Sequence, residues 1–235
     1  MDHNRGIWPD LRQLLKNELM KVYFVAGIGT DIGKTFLVEN LCRILPNAMA
    51  IKPIASGFCD GDENSDSAKI LSALGQKNSL ENINAITPWR FSEALSPHFA
   101  AEISGAKIDF AEVTNFCQQK ILEAKNSDRF LLIEAAGGVM TPINHEKTFL
   151  DLAAELKIPL LLVSANYLGA ISHTLCAVEA LKARGVKVAK IIVNETLPTS
   201  QQSEISLIPT LKNFTALEVV SLKDFLSLAA KLSTI

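Results

Sequence analysis

Short apolar runs alternate with longer amphipathic segments along most of this chain. Strand-like apolar runs are found at 21–27, 48–53, 130–135, 159–165, 188–194 and 216–221. Apolar residues at helical spacing are found at 33–45, 66–74, 109–125, 148–156, 170–184 and 223–232. Because strands alternate with helices, the pattern predicts an α/β fold, a mostly parallel sheet with helices on both faces in a three-layer sandwich.

Two of the runs are apolar throughout. Leu160–Val163 and Ile191–Val193 show no alternation of apolar and polar residues. A strand with one face in water alternates, so these two are predicted to be central strands covered on both faces. The segment 54–66 is rich in Ser, Gly, Asp and Asn and is predicted to be an exposed functional loop.

The first nineteen residues do not share this pattern. Met20 and Lys21 come directly before the first apolar run. We therefore expect an N-terminal extension at 1–19 and a single α/β domain at 20–235. The chain has 235 residues, 48% of them apolar, which is enough to bury one sizeable core.

Composition argues against several classes of partner. The formal net charge is −2 and aromatic residues make up only 6%, so we expect neither a basic face nor base-stacking side chains for nucleic acid. The apolar run 159–165 is far shorter than a membrane span, and the four histidines show no metal-ligand spacing. Four separated cysteines without a Cys-x-x-Cys pair, and no secretory signal pattern, predict reduced thiols in a cytoplasmic protein.

The segment Gly27–Thr35 reads Gly-Ile-Gly-Thr-Asp-Ile-Gly-Lys-Thr and lies between a predicted strand and a predicted helix. A glycine loop ending in Gly-Lys-Thr at such a junction is typical of a P-loop, where backbone N–H groups and a helix N-terminus bind phosphate. Lys34 would neutralise the outer phosphates, and the Thr35 hydroxyl would bind Mg²⁺. The usual pattern has four residues between its two glycines, whereas five separate Gly27 from Gly33. A plain strand–turn–helix junction that needs glycines is the alternative.

Polar or glycine-rich residues follow several predicted strands, at the edge where parallel sheets bind ligands. Lys52 ends the second run, either as a solvated lysine or as a second cation that faces a transferred phosphate together with Lys34. Glu134 ends an apolar run at the position of a Walker B carboxylate, which binds Mg²⁺ or its water; a solvated strand end is the alternative. Gly137 and Gly138 would let the backbone approach a ligand closely.

Two further segments are ambiguous from residue type alone. Asp66, in Asn-Ser-Asp-Ser before a predicted helix, is more typical of a capping residue than of a metal ligand. Ser96-Pro97-His98 has a proline near a helix start and one histidine, a combination that is usually structural.

Taken together, these residues resemble the dethiobiotin synthetase family, over about residues 20–222. The matching segments, in order, are Gly27–Thr35, Lys52–Gly57, Asn64–Asp66, Ser96–His98, Glu134–Gly138, Leu168–His173 and Val193–Asn194. The Lys-Pro-x-x-Ser-Gly and Ser-Pro-His elements are much more specific than the glycine loop. That family also has five residues between its loop glycines, so the unusual spacing supports the resemblance.

The resemblance implies a P-loop NTPase-like fold and an ATP-dependent ligase of biotin biosynthesis. Such an enzyme converts 7,8-diaminononanoate and CO₂ into a carbamate, which ATP phosphorylates to a carbamic–phosphoric anhydride. The neighbouring amine then closes the ureido ring of dethiobiotin and releases phosphate. ATP is the co-substrate and Mg²⁺ the cofactor. A homodimer is also implied, with the substrate site at the subunit interface.

The resemblance further implies roles for particular residues. Lys52 and Lys34 would be catalytic, and Thr35, Asp66 and Glu134 would hold Mg²⁺. The residues implied in ATP binding are Asp31, Ile32, Gly33, Lys34, Thr35, Phe36, Asp66, Glu134, Ala135, Ala136, Gly137, Asn194, Glu195 and Val220, with Asn194 reading the adenine. Those implied in substrate binding are Thr30, Lys52, Ser56, Gly138, Gly169 and Ser172, the last two at a helix start supplied by the other subunit.

The chain departs from the family pattern in several places. Ile28-Gly29 replaces the usual Thr-Asp, Asp31 replaces a common Glu, and Ala135 replaces a glycine. The family's proline near the adenine is absent, and Glu218–Ser221 stands there. The changes in the loop affect the direction of its backbone N–H donors, and the change at Ala135 affects the backbone after Glu134. The missing proline affects adenine recognition.

Two other kinds of protein share parts of this pattern. A cobyrinate amide synthase would carry an extra glutaminase domain with a nucleophilic cysteine, for which this chain is too short. A partition-type switch ATPase would carry a second lysine near the first loop glycine, and no lysine lies between Gly27 and Gly33. The sequence therefore favours the synthetase.

Overall fold

The computed structural model describes residues 21–196 and 206–233 of the chain. In chain order the elements are β1 (Val22–Gly27), α1 (Lys34–Ile44), β2 (Ala48–Ile51), β3 (Ile54–Ser56), α2 (Asp66–Ala73), α3 (Leu80–Ile86), β4 (Trp89–Phe91), α4 (Pro97–Ile103), α5 (Phe110–Asn126), β5 (Phe130–Glu134), α6 (Phe149–Leu156), β6 (Leu160–Ala165), α7 (Ala170–Ala183), β7 (Val188–Asn194), α8 (Ile208–Phe214), β8 (Val219–Ser221) and α9 (Leu222–Ser233). The predicted extension at 1–19 lies outside the described residues.

A six-stranded sheet in the order β2-β5-β1-β6-β7-β8 forms the middle of the fold. Every neighbouring pair of strands in it is parallel. β1 lies between β5 and β6, with Val25 opposite Glu134 and Phe24 opposite Leu160. The residues of 160–163 and 191–193 are all buried, so the predictions of a parallel α/β sheet and of two central strands are confirmed.

Helix α1 holds the glycine loop in place. Its residues Leu37, Val38 and Leu41 are buried, and it packs against α2 and α9. Burying one such aliphatic side chain contributes about 1.5–3 kcal/mol to folding. The loop is therefore fixed at both ends, by a buried strand before it and by a well-packed helix after it.

The sequence pattern missed five short elements, β3, β4, α3, α4 and α8. The predicted strand 48–53 was too long, because β2 ends at Ile51 and Ile54–Ser56 forms β3 instead. β3 pairs in parallel with β4 in a separate two-stranded sheet. The predicted run 216–221 shortens to Val219–Ser221. Elements of three to seven residues are too short to show a hydrophobic period, so their pairing partners decide their structure.

No helix within 21–196 and 206–233 is long and apolar enough to cross a membrane. All four cysteines are free, with Cys42 and Cys117 buried and Cys59 and Cys176 exposed. Burial raises the pKa of both buried thiols to about 12, so they stay protonated at neutral pH.

Candidate active site

A cleft of about 760 Å³ opens at the carboxyl ends of the strands. The glycine loop, the start of α1, the end of β3, the start of α2 and the end of β5 all contribute to its walls. The lining residues are Thr30, Asp31, Gly33, Lys34, Thr35, Phe36, Lys52, Ser56, Gly57, Asp66, Ala94, Leu95, Ser96, Pro97, Glu134, Ala136, Gly137 and Thr141. Most of the residues that the sequence singled out therefore share one cavity.

The glycine loop has the backbone geometry of an anion-binding site. Asp31 (φ 56°) and Gly33 (φ 101°) are both left-handed, and such residues within a turn direct successive N–H groups into a concave surface. A Cβ at Gly27 would lie 2.4 Å from Cδ1 of Ile32, and one at Gly33 would lie 2.4 Å from Nδ2 of Asn194. A side chain at Gly27 would displace the end of Ile32, and one at Gly33 would displace the Asn194 amide and strain a left-handed backbone, so both positions favour glycine.

Lys34 lies in this loop, buried to 6% exposure, and its Nζ donates to the backbone oxygen of Gly29 at 2.6 Å. Burial is the largest influence and lowers the pKa of Lys34 to about 8, although Glu134 opposes that shift. A bound phosphate would favour the charged form of the same amine. The Gly29 carbonyl holds the lysine within the loop.

Lys52, Asp66, Glu134 and Thr35 form one hydrogen-bonded cluster. The Nζ of Lys52 donates to Oε1 of Glu134 at 2.8 Å and to Oδ2 of Asp66. The Thr35 hydroxyl donates to the same Oε1 at 2.6 Å. The topology explains this cluster: β2 and β5 are neighbours with Ile51 opposite Ile133, so the next residues, Lys52 and Glu134, meet at the sheet edge.

The cluster is held charged by its own pairing. Burial alone would lower the pKa of Lys52, but the carboxylates of Glu134 and Asp66 outweigh it and raise that pKa above its ordinary value. Burial would likewise raise the pKa of Asp66, yet the ammonium of Lys52 lowers it. At neutral pH the site is thus a lysine cation between two carboxylates.

Two ambiguities in the sequence are resolved here. Lys52 and Glu134 are not solvated strand ends, since both are buried. Asp66 does not cap its helix, because the cap of α2 is Ser65, whose hydroxyl accepts from the N–H of Ala68 at 3.2 Å. The interpretation of Asp66 as a capping residue was therefore wrong, and its side chain faces Lys52 instead.

One polar atom of the cluster has no partner. Oε2 of Glu134 is buried and, among the described residues, accepts no hydrogen bond. An unsatisfied carboxylate oxygen in a buried site favours a cation. No group of three or more His, Cys, Asp or Glu side chains within 21–196 and 206–233 has the arrangement to hold a metal ion by itself. Two carboxylates and one hydroxyl nevertheless suit Mg²⁺, which takes its remaining ligands from phosphate and water.

The segment after β5 supports the glycine loop from behind. The N–H of Val139 donates to the oxygen of Gly27 at 2.9 Å. A Cβ at Gly138 would lie 3.2 Å from the backbone oxygen of Ile28, so only glycine fits there without displacement. Ala135 is fully buried, and its N–H continues the pairing with β1 by donating to Val25 at 2.9 Å. The departures at Ile28 and Ala135 lie in well-packed backbone.

Several predicted residues lie outside the cleft. Asn194 is buried behind the loop, where its Nδ2 donates to the oxygen of Ile32 at 3.2 Å. Glu195 is exposed and accepts from the Ser206 hydroxyl. Val220 is buried within β8. The other predicted residues outside it are Ile32, Ala135 and Gly138, near the loop, and Gly169 and Ser172, around the start of α7.

Sequence reasoning missed part of the wall. Ser96 and Pro97, classed as structural, line the cleft, and so does Thr141, whose hydroxyl accepts from the N–H of Gly138 at 2.8 Å. The family resemblance of Ser-Pro-His was the signal that could have placed Ser96 there. Residue type alone could not, because serine before a helix is ordinarily a cap.

A glycine loop between a buried strand and a helix, with a carboxylate at the end of the adjacent strand, defines a P-loop nucleoside triphosphate-binding protein. A protein-family model described as an AAA domain matches residues 21–223. The ATP-dependent dethiobiotin synthetase BioD of Acidiphilium cryptum is 40% identical over 186 residues, 76% of this chain and 82% of that protein. The chain belongs to the dethiobiotin synthetase family.

Other relatives agree with this assignment. The BioD protein of Legionella pneumophila (strain Paris) is 42% identical over 177 residues, which cover 74% of this chain and 80% of that protein. The BioD protein of Caulobacter vibrioides (strain NA1000 / CB15N) is 39% identical over 186 residues, 76% of this chain and 81% of that protein. Both are named ATP-dependent dethiobiotin synthetases, which favours neither the cobyrinate amide synthase nor the partition-type ATPase.

Proposed function

We propose that this protein closes the ureido ring of dethiobiotin from 7,8-diaminononanoate and CO₂ at the expense of ATP. The observation that carries the proposal is the position of Lys52, whose ammonium lies 2.8 Å from Glu134 at the edge of the cleft shared with the phosphate loop. The relatives are named ATP-dependent dethiobiotin synthetases, which supports the use of ATP and the product. A single α/β domain at 20–235 in the cytoplasm, where ATP is available and the four thiols stay free, is part of the proposal.

The chemistry demands the residues that the cleft supplies. A carbamate is a poor electrophile until it is phosphorylated, and its oxygen must approach an anionic γ-phosphate. Lys34 and Lys52 place two cations on one cavity and offset that repulsion. After phosphorylation, the second amine attacks the carbamoyl carbon while the carbon–oxygen bond to phosphate breaks. Both groups belong to one substrate molecule, so ring closure is intramolecular, and the cleft would hold amine and anhydride in the orientation that favours attack.

Mg²⁺ fits the chain's own residues. Thr35, Asp66 and Glu134 would hold it, and the unpartnered Oε2 of Glu134 is the observation that favours a cation there. When bound, the ion supplies positive charge beside the phosphates. Lys52, released from part of its pairing, would then direct its ammonium towards the carbamate oxygen.

Thr30 and Ser56 line the cleft and would contact the diamine. Gly138 lies outside the cleft lining, and its N–H already donates to the Thr141 hydroxyl, so it would help to shape the substrate site through its backbone. Ile32, Asn194, Glu195 and Val220 would surround the nucleotide beyond the loop. Because Asn194 already donates to Ile32, its second amide proton is the one that would reach the adenine.

A homodimer would complete the substrate site. Helix α7 begins after Gly169 (φ 96°) without a side-chain cap. The N–H of Ala170 donates to the oxygen of Tyr167 at 3.0 Å, so the N–H groups of Ile171 and Ser172 are the ones that would meet a carboxylate. Gly169 and Ser172 nevertheless do not line this chain's cleft. Leu168 before them is 91% exposed, as expected for a residue that a second copy covers. The two-fold partner would therefore supply its α7 to this cleft.

The function is tested by turnover. Purified protein with 7,8-diaminononanoate, bicarbonate, Mg²⁺ and ATP is expected to release phosphate and yield dethiobiotin in equal amounts. A reaction without the diamine is the control. Phosphate release that does not depend on the diamine would contradict the proposal.

Mixed dimers test the shared site. Lys52→Ala damages the cleft, and Ser172→Trp blocks the start of α7, so each variant alone is expected to be inactive. A mixed dimer contains one cleft and one helix that are both native, at the same site. Mixing and reassociating the variants should restore about a quarter of native activity, because half the dimers are mixed and each has one intact site. No recovery would show that each chain uses its own helix.

A further inference from the structure

Ser96 is an N-cap serine that does not cap. The side chains of Ser65, Ser79, Asp109 and Thr148 all accept a first-turn N–H of the helix that follows them. Ser96 occupies the same position before α4 and makes no such bond. Its hydroxyl lies 3.0 Å from Nδ1 of His98 instead. A cap contributes about 1 kcal/mol to stability, so this serine is diverted from its usual structural role.

The Ser96–His98 pair spans the wall between two cavities. Ser96 lines the catalytic cleft. His98, two residues later, lines a second cavity of about 780 Å³, whose lining shares no residue with the cleft. The hydrogen bond therefore connects the two spaces through the wall.

The connection continues to solvent. The ring of His98 meets that of His145 edge to face, with centroids 5.5 Å apart. Nε2 of His145 lies 3.8 Å from Oε2 of Glu102, and both side chains are more than half exposed. The other charged residues lining this cavity are Lys107, Asp109, Glu146 and Lys147. Imidazole and carboxylate groups thus run from the cleft wall to the surface.

We propose that Ser96 and His98 accept the proton that the attacking amine loses during ring closure, and deliver it to the cavity of His145. This inference rests on the proposed function. No histidine is among the described residues that line the cleft, and Lys52 is already charged between two carboxylates. Imidazole is the side chain suited to taking up a proton near neutral pH.

Ring closure leaves one excess proton on the attacking nitrogen, and Ser96 and His98 remove it. The amine nitrogen forms its bond to the carbamoyl carbon, and the electron pair of the broken carbon–oxygen bond leaves with phosphate. The nitrogen then carries one proton too many. Ser96 Oγ takes that proton while its own hydroxyl proton moves to Nδ1 of His98, which needs the tautomer protonated at Nε2. The resulting imidazolium releases its Nε2 proton to water in the second cavity, and proton exchange with that water restores the Nε2-protonated tautomer before the next turnover.

Matched serine substitutions separate catalysis from capping. Ser96→Ala should slow single-turnover formation of dethiobiotin about 100-fold, a usual contribution of general base catalysis, and should leave the melting temperature nearly unchanged because no cap bond is lost. Ser79→Ala should do the reverse: lower the melting temperature through the lost cap and leave the rate unchanged. If Ser96→Ala behaves like Ser79→Ala, the proposal is wrong.

Imidazole rescue identifies the proton acceptor. His98→Ala should lose a similar share of the rate, with ATP affinity intact. Added imidazole should restore part of the rate in proportion to its unprotonated fraction, because the cavity beside residue 98 has room for it. A native rate in His98→Ala, or a loss that imidazole cannot rescue, would assign the proton to the departing phosphate instead. Native protein that forms no dethiobiotin overturns the proposed function and this inference together.

Discussion

Two buried lysines stand at opposite ends of the same sheet. Lys52 follows β2 at the carboxyl end and is 5% exposed, whereas Lys190 lies near the start of β7 and is 2% exposed. Lys190 pairs with one carboxylate, Glu218, beside an apolar cavity of about 40 Å³. Lys52 pairs with two carboxylates beside a cleft of about 760 Å³, and one carboxylate oxygen there has no partner.

The difference shows that burial of a cation does not by itself indicate function. Both ion pairs carry the cost of removing charge from water. At Lys190 that cost is offset by a closed pair with no room for a ligand. At Lys52 the pairing leaves acceptor capacity unused and opens on a cavity. Spare capacity and access are therefore the features that distinguish a reactive site from a structural ion pair.

The largest expected effect compares the same substitution at both ends. Lys52→Ala should reduce turnover by about 100- to 1,000-fold, because a cation facing the developing charge is lost, while ATP binding through the phosphate loop remains. Lys190→Ala should leave the turnover of folded protein unchanged. Phosphate release measures the turnover of each variant, and ATP titration measures its nucleotide affinity. Normal turnover in Lys52→Ala would remove the catalytic role of that lysine.

Substitution of Lys190, at the other end of the sheet, should affect stability instead of turnover. Lys190→Ala leaves a hole in the packed end of the sheet and should lower the free energy of unfolding by about 3 kcal/mol. Lys190→Met fills the same space with apolar atoms, and Glu218, being partly exposed, can turn to water; its effect should stay within about 1 kcal/mol. Urea unfolding distinguishes the two. Equal losses would mean that the charge itself holds the sheet end.

ATP affinity should depend on pH because Lys34 lies in the cleft at the carboxyl end of the sheet. Burial lowers the pKa of Lys34 to about 8, and bound phosphate favours the charged amine. The free protein must therefore take up a proton to bind ATP above that pH, so affinity should fall roughly 25-fold from pH 7.5 to 9.5. Calorimetry in two buffers measures the uptake. Lys34→Met should bind ATP weakly, and its ATP affinity should not change with pH. Tyr23→Phe, near Lys190 at the other end of the sheet, should show the same pH dependence of ATP affinity as the native protein.

Magnesium gives the smallest effect. Without Lys52, the carboxylates of Asp66 and Glu134 face each other unneutralised, and a cation should replace the missing ammonium. Millimolar Mg²⁺ should raise the melting temperature of Lys52→Ala by about 3 °C more than that of Lys190→Ala. Ca²⁺ at the same concentration is the comparison for ion size. Equal shifts in both variants would argue against a metal site at these carboxylates.

The contrast between the two lysines also marks the limits of the sequence. Lys52 and Glu134 were predicted because each ends an apolar run, and parallel topology brings strand ends together. Lys190 lies inside a predicted strand, and nothing in the pattern indicated that its partner is Glu218. The pairing of Lys190 with Glu218 depends on tertiary packing between distant segments, which leaves no local signal in the sequence.

Asp66 and Ser96 show a second limit of the sequence, because their residue types suggested a structural role. Both stand where short polar residues usually cap helices, so residue type favoured a structural role for each. Whether the side chain turns to its own backbone or to a neighbour depends on what the fold places opposite it: Lys52 for Asp66, and His98 for Ser96. β3 and β4 were missed because a three-residue strand exists only through its pairing.

The contact between Gly33 and Asn194 ties base selection to phosphate binding. The amide proposed to recognise adenine also donates to the oxygen of Ile32 and fills the space in which a Cβ at Gly33 would lie. A mutation that alters the preferred base at this position must also loosen the loop that grips the phosphates. Nucleotide preference and catalytic competence are thus not free to evolve separately, and an engineered change of base would need a compensating repair in the loop.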